Sequence, residues 1–231
     1  MLGRAFDVAT STLASGLTFA RGYIVRKPAR QPEKLLELYE FESCPFCRKV
    51  RETLSELDLD AVIHSCPPRG TRHRPRAIEL GGKKQFPLLV DPNTDRMLYE
   101  SDEIIQYLAT TYGDGRVSIA QRLGPVTTAR AILGTLPRAG RISVRPSKEP
   151  AQPLELWSFE ASPFCRIARE ALCNLELSYV LHNVAKGSSK RDAFVARSGK
   201  MMVPFLHDPN TGTSMFESAE IVRYLGETYG A

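Results

Sequence analysis

Two cysteines stand three positions apart in the stretch CPFC, residues 44–47, and they could carry out thiol–disulfide chemistry. Pro45 occupies the place where a helix would begin, a position that needs no backbone N–H. A cysteine just before a helix lies near free N–H groups and the positive end of the helix dipole, which lowers the pKa of its thiol. Arg48 and Lys49 are expected to add positive charge nearby. Cys44 is therefore predicted to attack a disulfide, and Cys47 to resolve the mixed disulfide that forms.

Two other uses of this cysteine pair stay open. It could be half of a zinc site completed by His64 and Cys66, because alternate positions on a strand share a face. The two cysteines could also be buried and chemically inert. A strand–CxxC–helix order favours redox chemistry over both alternatives.

The chain carries this stretch twice. LELYEFESCPFCRKVRETL at 36–54 returns as LELWSFEASPFCRIAREAL at 154–172, with Ser162 in place of Cys44. A downstream segment at 86–113 returns at 203–230. A serine cannot form a mixed disulfide, but it is a good N-cap residue. The repeat predicts an N-terminal helical segment, a first domain, a linker with a helix and a second domain, with bounds 1–34, 35–113, 114–152 and 153–231.

Each domain is predicted to run strand, helix, strand, helix, strand, strand, helix. The first helix should end near Leu57 and bury the face that carries Val50 and Leu54. A strand–helix–strand start implies a parallel pair with a right-handed crossover, hence a thioredoxin-like α/β fold. PNT predicts the turn of a hairpin, and Ser101 is predicted to cap the last helix. The Phe86–Pro87 and Val203–Pro204 bonds are predicted to be cis.

The segments ahead of the domains are predicted to be helices that pack on the domains. Their apolar stripes would be Phe6, Ala9, Leu13 and Leu17 in the first, and Leu123, Val126, Arg130 and Leu133 in the second. Attachment of these stripes to a membrane surface is the alternative.

Composition narrows the class of protein. With 42% hydrophobic and 25% charged residues the chain is globular, and no apolar run approaches the ~20 residues that span a bilayer. Five cysteines at irregular spacing argue against a disulfide scaffold and for a reducing compartment, the cytoplasm or a plastid stroma. No secretory signal is recognisable, while a targeting peptide already removed stays open. The basic stretch RGTRHRPR, 69–76, favours a solvated surface over nucleic-acid binding, because no aromatic residues interleave with it.

These motifs together resemble the glutaredoxins and the N-terminal domain of glutathione transferases. The resemblance rests on CPFC, QFP and YESDEI in the first unit and on SPFC, MVP and FESAEI in the second. The tandem arrangement is similar to proteins of bacteria and photosynthetic organisms that are labelled by these domains.

The resemblance implies that glutathione is a substrate or ligand. Cys44 would attack, Cys47 would resolve, and the backbone of Phe86, ahead of Pro87, would bind the cysteinyl part. Glu100 and Ser101 would hold the γ-glutamyl end, where a helix N-terminus suits a carboxylate, and Asp102 would pair with the ammonium group. A possible second site would comprise Ser162, Cys165, Val203, Pro204, Glu217 and Ser218.

One departure from the transferases separates the function hypotheses. The all-helical domain that supplies their electrophile pocket is replaced here by a linker and a second unit, which argues against conjugation of bulky electrophiles. The first hypothesis is a glutathione-linked oxidoreductase of small-molecule or protein disulfides, supported by a degenerate second unit. The others are a transferase-like activity on small substrates, and a non-catalytic module that binds glutathione or an iron–sulfur cluster. A cluster held by one cysteine per chain would require a dimer.

Overall fold

The computed structural model describes residues 2–16, 21–26, 28–116, 124–135 and 141–231. Its helices are α1 Leu2–Gly16, α2 Pro45–Leu57, α3 His73–Gly81, α4 Ser101–Thr111, α5 Gly124–Thr135, α6 Pro163–Asn174, α7 Arg191–Ser198 and α8 Ser218–Tyr229. Its strands are β1 Leu36–Glu40, β2 Ala61–Ser65, β3 Leu88–Asp91, β4 Arg96–Leu98, β5 Leu154–Ser158, β6 Tyr179–Asn183, β7 Phe205–Asp208 and β8 Thr213–Phe216. Among these residues, no helix is long and apolar enough to cross a membrane.

The predicted element order is confirmed in both units. We call β1 through α4 the first lobe and β5 through α8 the second lobe. In the first lobe β1 and β2 are parallel, β3 and β4 form the predicted antiparallel hairpin, and Val50 and Leu54 are fully buried. Both X–Pro bonds named from the sequence, Phe86–Pro87 and Val203–Pro204, are cis. The chain is therefore a tandem pair of thioredoxin-like lobes.

The two lobes share one eight-stranded sheet of order β4-β3-β1-β2-β6-β5-β7-β8. They meet where β2 pairs antiparallel with β6, so that Ala61 lies opposite Leu181 and Ile63 opposite Tyr179. Since β1 is parallel to β2 and β5 is parallel to β6, the first strands of the two lobes run in opposite directions. The helices that follow them, α2 and α6, consequently run in opposite directions. Because the sheet is continuous, the domain bounds read from the sequence stay a prediction.

Buried charges join the lobes beside this strand pair. Arg51 of α2 donates from Nε to Glu160 Oε2 of the second lobe at 2.9 Å. Arg169 of α6 makes the reciprocal contact, with Nε and Nη2 donating to the two oxygens of Glu42 at 3.0 and 3.1 Å. All four side chains are at most 5% exposed. Ion pairs this deeply buried hold only when their hydrogen bonds are satisfied, so each lobe depends on the other for charge balance.

The helix that precedes each lobe in sequence, α1 or α5, packs on the other lobe. Helix α1 packs on α6 of the second lobe, and α5 packs on α2 of the first. Ser11 is fully buried and donates to the carbonyl of Pro163 at 2.8 Å. Packing on the lobes was expected, and it is confirmed for the part of both helices that the structure describes.

Of the stripes predicted to face the lobes, Arg130 does contact the first lobe, whereas the prediction was wrong for Phe6, Ala9, Leu13 and Leu133, which are exposed. Phe6 and Leu13 of α1 are 58% and 55% exposed, and Leu133 of α5 is 50% exposed. Polar contacts join both helices to the lobes: Ser11 reaches Pro163, and the guanidinium of Arg130 pairs with Glu52. These helices therefore pack in part through charged and polar groups, which an apolar pattern does not reveal. Leu17 and Leu123, and the side chain of Val126, lie outside the described residues.

Candidate functional site

The CPFC turn is built as its sequence predicts. Cys44 is the N-cap of α2 in an extended conformation, and its sulfur accepts a hydrogen bond from the N–H of Cys47 at 3.3 Å. Pro45 is the first helical residue, a position whose N–H has no partner within the helix, so the missing N–H of proline costs no hydrogen bond. The Cys44 N–H donates to the carbonyl of Phe41 at 3.0 Å, which fixes the turn that leads from β1 into the helix.

The two thiols have opposite tendencies to ionise. The pKa of Cys44 is lowered, first because the Cys47 thiol donates to it and then because backbone N–H groups do, and burial opposes the effect. The pKa of Cys47 is raised by burial and by the hydrogen bond that its thiol donates to Cys44. Cys44 is thus the thiol of the pair that ionises more readily and Cys47 the one that keeps its proton longer, the division that nucleophile and resolver need.

Arg48 and Lys49 do not supply the free positive charge expected beside Cys44. The guanidinium of Arg48 is buried against Glu52 at 3.2 Å and lies 3.8 Å from Glu160. The ammonium of Lys49 is buried against Asp102 at 2.5 Å. Carboxylates compensate both cations, so the lowering of the Cys44 pKa comes from hydrogen bonds to its sulfur.

Phe86 and Pro87 lie beside the CPFC turn because β3 pairs antiparallel with β1. Tyr39 stands opposite Leu88 in that register, which places Phe86 across from Phe41. The rings of Phe41 and Phe86 meet edge to face with centroids 6.1 Å apart. Phe41 is also the residue that accepts the Cys44 N–H, so the QFP segment and the thiol share one end of the sheet.

Glu100 and Ser101, which the sequence predicts to hold the γ-glutamyl end, lie at the start of α4. Glu100 has φ +62°, a backbone region that non-glycine residues rarely occupy outside special sites. Its side chain accepts from Gln85 Nε2, one residue before Phe86. Ser101 is buried but is the first helical residue, with Glu100 at the cap and no side-chain cap bond. The prediction that Ser101 caps the helix was therefore wrong, since the positive φ moves the cap back by one residue.

Asp102 is engaged within the protein. Its carboxylate receives the Lys49 ammonium and so ties the start of α4 to the first turns of α2. The Asp102 side chain is 59% exposed, which leaves one side of the carboxylate open to solvent. Cys44, Phe86, Glu100 and Asp102 are thus connected at one end of the first lobe through contacts made by Phe41, Gln85 and Lys49.

Sequence reasoning missed Arg74 at this site. Its guanidinium lies over the rings of Phe86 and Phe41, with Cζ 4.4 and 5.4 Å from their centroids. Its Nε donates to the carbonyls of Cys66 and Pro67 at 3.1 and 2.7 Å, which holds the cation in place. Arg74 belongs to the basic stretch that was read as a solvated surface, and the aromatic rings that receive it come from distant parts of the chain.

The second lobe repeats the backbone of the site with different chemistry. Ser162 is the N-cap of α6 and accepts from the Cys165 N–H at 3.3 Å, so its predicted capping role is confirmed. Burial raises the pKa of Cys165, which is fully buried. Glu217 repeats the positive φ of Glu100, at +67°, and Ser218 is again buried at the first helical position. Val203, ahead of the cis Pro204, replaces the ring of Phe86.

Metal ligands do not cluster in the described part of the chain: no group of three or more His, Cys, Asp or Glu side chains there could hold an ion. His64 is engaged by Ser178 and Glu37, at 2.9 and 3.1 Å. Cys66 is buried in a separate apolar cluster with Tyr39, Ala77 and Leu88. The two residues named as zinc ligands therefore have other partners.

Fold and site together define a thioredoxin-fold protein with a cysteine at a helix N-terminus and a cis-proline loop beside it, built twice. The chain belongs to the family of the glutathione S-transferase N-terminal domain, whose sequence model matches residues 38–116 and 156–231. The family match over both lobes confirms the resemblance carried by the two sets of motifs. A search of curated proteins finds no match. Among solved structures the chain is similar to TDR1, a trimeric glutathione transferase of Leishmania, with a TM-score of 0.31 and 14% identity over 86% of this chain and 68% of that one.

Proposed function

We propose that the first lobe is a glutathione-linked thiol–disulfide oxidoreductase with Cys44 as nucleophile and Cys47 as resolving cysteine. The observation that carries the proposal is the opposite pKa shift of two thiols in hydrogen-bond contact at a helix N-terminus. A thiolate attacks a disulfide, whereas the protonated partner waits for the second step. The family of the chain supports glutathione as the co-substrate.

The reaction balances as two thiol exchanges. The Cys44 thiolate forms a bond to one sulfur of the substrate disulfide, and the other sulfur leaves as a thiolate that takes up a proton. The mixed disulfide is then opened by Cys47, which yields a Cys44–Cys47 disulfide, or by a glutathione thiolate, which yields oxidised glutathione. Two glutathione molecules reduce the intramolecular disulfide and return both cysteines to thiols.

Glutathione would lie along the line of contacts from Cys44 to α4. The N–H groups at the start of α4 would receive its γ-glutamyl carboxylate, and Asp102 its ammonium group, in competition with Lys49. The guanidinium of Arg74, fixed over Phe86, would face the remaining carboxylate. Cys44 is only 4% exposed, so we expect small disulfides to react faster than protein disulfides.

The second lobe would support the first and would not turn over disulfides. Ser162 lacks a sulfur, and helix α1 packs against the start of its helix through Ser11 and Pro163. All five cysteines are free thiols in the structure. This pattern supports a reducing compartment such as the cytoplasm or a plastid stroma.

The proposal is tested by glutathione-dependent reduction of a small disulfide such as hydroxyethyl disulfide. Cys44→Ser should abolish the activity, because the attacking sulfur is removed. Cys47→Ser should retain part of it, since glutathione can resolve the mixed disulfide. Ser162→Ala is the matched control in the other lobe and should leave the rate unchanged.

Other results would point elsewhere. Retained disulfide reduction in Cys44→Ser would refute the proposal. Conjugation of glutathione to a small electrophile that survives Cys47→Ser, without disulfide reduction by the parent chain, would favour the transferase alternative. A brown, anaerobically purified protein that loses its colour on Cys44→Ser would favour the iron–sulfur carrier.

A further inference from the structure

We call the antiparallel pairing of β2 with β6 the seam between the lobes. A second set of reactive side chains lies there, on β2 and on the residue just before β6. The strand register that places Ala61 opposite Leu181 also places His64 opposite Ser178. The Ser178 hydroxyl is 2.9 Å from His64 Nδ1, and His64 Nε2 is 3.1 Å from Glu37 Oε2. A hydroxyl, an imidazole and a carboxylate therefore stand in line, each within hydrogen-bond reach of the next.

The partners fix the imidazole in one tautomer. Glu37 accepts and cannot donate when ionised, so the His64 proton lies on Nε2 and the Nδ1 lone pair receives the Ser178 hydroxyl. The hydrogen bond from His64 is the first cause that lowers the pKa of Glu37. The His64 ring is stacked on Tyr39 with centroids 4.4 Å apart, which restricts its rotation. These contacts orient a base toward a hydroxyl, as a nucleophilic site requires.

The Ser178 hydroxyl and the His64 imidazole open onto a cavity of about 350 Å³. Ser178 and His64 line it together with Tyr39, His73 and Arg76. His73 Nε2 donates to the Glu176 carbonyl at 2.9 Å and lies 3.2 Å from the Ser178 oxygen, so a second imidazole lies beside the hydroxyl. The Arg76 guanidinium, paired with Glu79 at 2.9 Å, brings a cation to the cavity wall. A volume of this size accepts a small organic molecule.

The repeat supplies a comparison for this arrangement. Residue 178 corresponds to Asp60 in the first lobe, and His64 corresponds to His182. There a carboxylate replaces the hydroxyl, with His182 Nδ1 3.3 Å from Asp60 Oδ2 and the Lys190 ammonium 2.5 Å from Asp60. The counterpart of Glu37, Glu155, pairs with Arg197 instead. At one end of the seam, Asp60 is therefore held by His182 and Lys190 in an ion-paired contact. At the other end, Ser178, His64 and Glu37 follow one another as hydroxyl, imidazole and carboxylate.

We propose that Ser178 is a nucleophile activated by His64 and Glu37, and that the seam cavity binds and hydrolyses small carboxylic esters. Ser178 Oγ bonds to the ester carbonyl carbon while His64 Nδ1 takes the hydroxyl proton. The carbon–oxygen bond to the alcohol breaks, and the alcohol leaves with the proton from His64. Water then adds to the acyl carbon, passes its proton through His64 back to Ser178, and releases the acid.

A fluorophosphonate probe on the intact wild-type chain tests the proposal directly. Ser178 Oγ would bond to phosphorus and displace fluoride, and peptide mass spectrometry locates the label. The chain provides a matched control in Ser214, whose oxygen lies 2.8 Å from His207 Nδ1 at an exposed site. General-base activation contributes typically ~10²–10⁴-fold, so we expect Ser178 to be labelled at least ~100 times faster than Ser214.

Variants separate this site from the redox site. His64→Gln should reduce labelling at Ser178 by ~100-fold and leave labelling at Ser214 unchanged. Cys44→Ser should not alter labelling at either serine, because Cys44 plays no part in it. Equal labelling of the two serines, no labelling of Ser178, or full labelling of Ser178 in a folded His64→Gln variant would each overturn the proposal. Disulfide reduction measured on the same samples reports on the redox proposal independently.

Discussion

The turn before α2 and the turn before α6 differ in chemistry far more than in backbone. Each ends in an N-cap side chain that accepts from the third residue of its helix, and each contains a buried glutamate held by an arginine of the other lobe. The first turn adds Glu40 under its helix, paired with Arg51, where the second lobe has Ser158. Two thiols and a buried carboxylate therefore occur together in one lobe, and two hydroxyls and a deeply buried thiol occur in the other.

This difference indicates that the residues common to both lobes stabilise the fold, whereas the residues found only in the first lobe form its reactive site. Glu42 and Glu160, Arg51 and Arg169, and Asp91 and Asp208 are kept in both lobes and are buried in the same contacts. Cys44, Glu40, Phe86 and Asp102 are present only in the first lobe, and all lie at its thiol end. The comparison yields four expectations, in order of decreasing effect.

The largest effect is expected from exchanging the sulfur between lobes. In a chain that combines Cys44→Ser with Ser162→Cys, disulfide reduction should stay at least ~100-fold below the parent, because the second lobe lacks Phe86, Asp102 and Glu40 around its turn. Turnover of hydroxyethyl disulfide with glutathione measures this. Recovery to near the parental rate would mean that a cysteine at the helix cap suffices and that the other differences are incidental.

The second effect concerns the charges between the lobes. Arg169→Met leaves the buried carboxylates of Glu42 and Glu160 with fewer partners, and loss of one member of a buried ion pair costs about 3–5 kcal/mol. Urea unfolding should show this loss. The exposed Arg223, which pairs with Glu220 on the surface of α8, is the control. Arg223→Met should cost less than about 1 kcal/mol.

If Arg169→Met costs no more than Arg223→Met, the lobes do not depend on each other for charge balance. A sharper comparison uses Glu42→Gln and Glu160→Gln, which remove equivalent charges from the two turns. Both should lower stability by similar amounts, whereas only Glu42→Gln should slow disulfide reduction.

The third effect distinguishes the lobes by pH. Burial raises the pKa of Glu40 from 4.5 to about 7, although Arg51 opposes the rise. The folded protein thus binds a proton that the unfolded chain releases, so this group lowers stability progressively as pH rises from about 4.5 through about 7. Glu40→Gln should remove a decline of about 1–3 kcal/mol across that window.

Unfolding measured at several pH values between 4.5 and 8 checks this, as the difference between variant and parent at each pH. Glu79→Gln, at an exposed surface pair, is the control and should leave the profile unchanged. A parental profile that Glu40→Gln does not alter would show that Glu40 stays ionised beside Arg51 over the whole range.

The smallest effect should be equal in the two lobes. Asp91 accepts from Tyr107 and Tyr112, and Asp208 accepts from Tyr224 and Tyr229 in the same way. Asp91→Asn and Asp208→Asn should each lower stability by about 1–2 kcal/mol, since each weakens hydrogen bonds to a charged acceptor. Thermal unfolding of both variants measures this. A clear inequality would mean that the repeated hairpins do not contribute equally to the fold.

The sequence alone predicted the fold of each lobe, but it did not predict how the two lobes join. Periodic apolar positions such as Val50 and Leu54 located α2, and the PNT turn located the hairpin, because both signals are local. The joint between β2 and β6 had no local signal, since any exposed strand edge can pair with another. Arg48 was expected to add free positive charge near Cys44, and its burial beside Glu160 of the second lobe has no local signal in the sequence.

The same limit applies to the site. The N-cap sulfur of Cys44 and the cis bond before Pro87 could be predicted because the repeat and the motifs place them. The partners of Arg74 could not, because Phe41 and Phe86 approach it only after the sheet forms. The Ser178–His64 contact joins residues 114 positions apart in the chain, across a seam that no motif indicates.

The antiparallel joint between β2 and β6 also explains how one chain could keep its site once and lose it once. A single lobe would present β2 as an open edge, and two identical copies could close that edge on each other as a homodimer with a two-fold axis. In such a dimer every substitution appears twice, so neither copy could give up its cysteine alone. Covalent tandem duplication removes this constraint, because one half can specialise in catalysis while the other is selected only for the surface it presents.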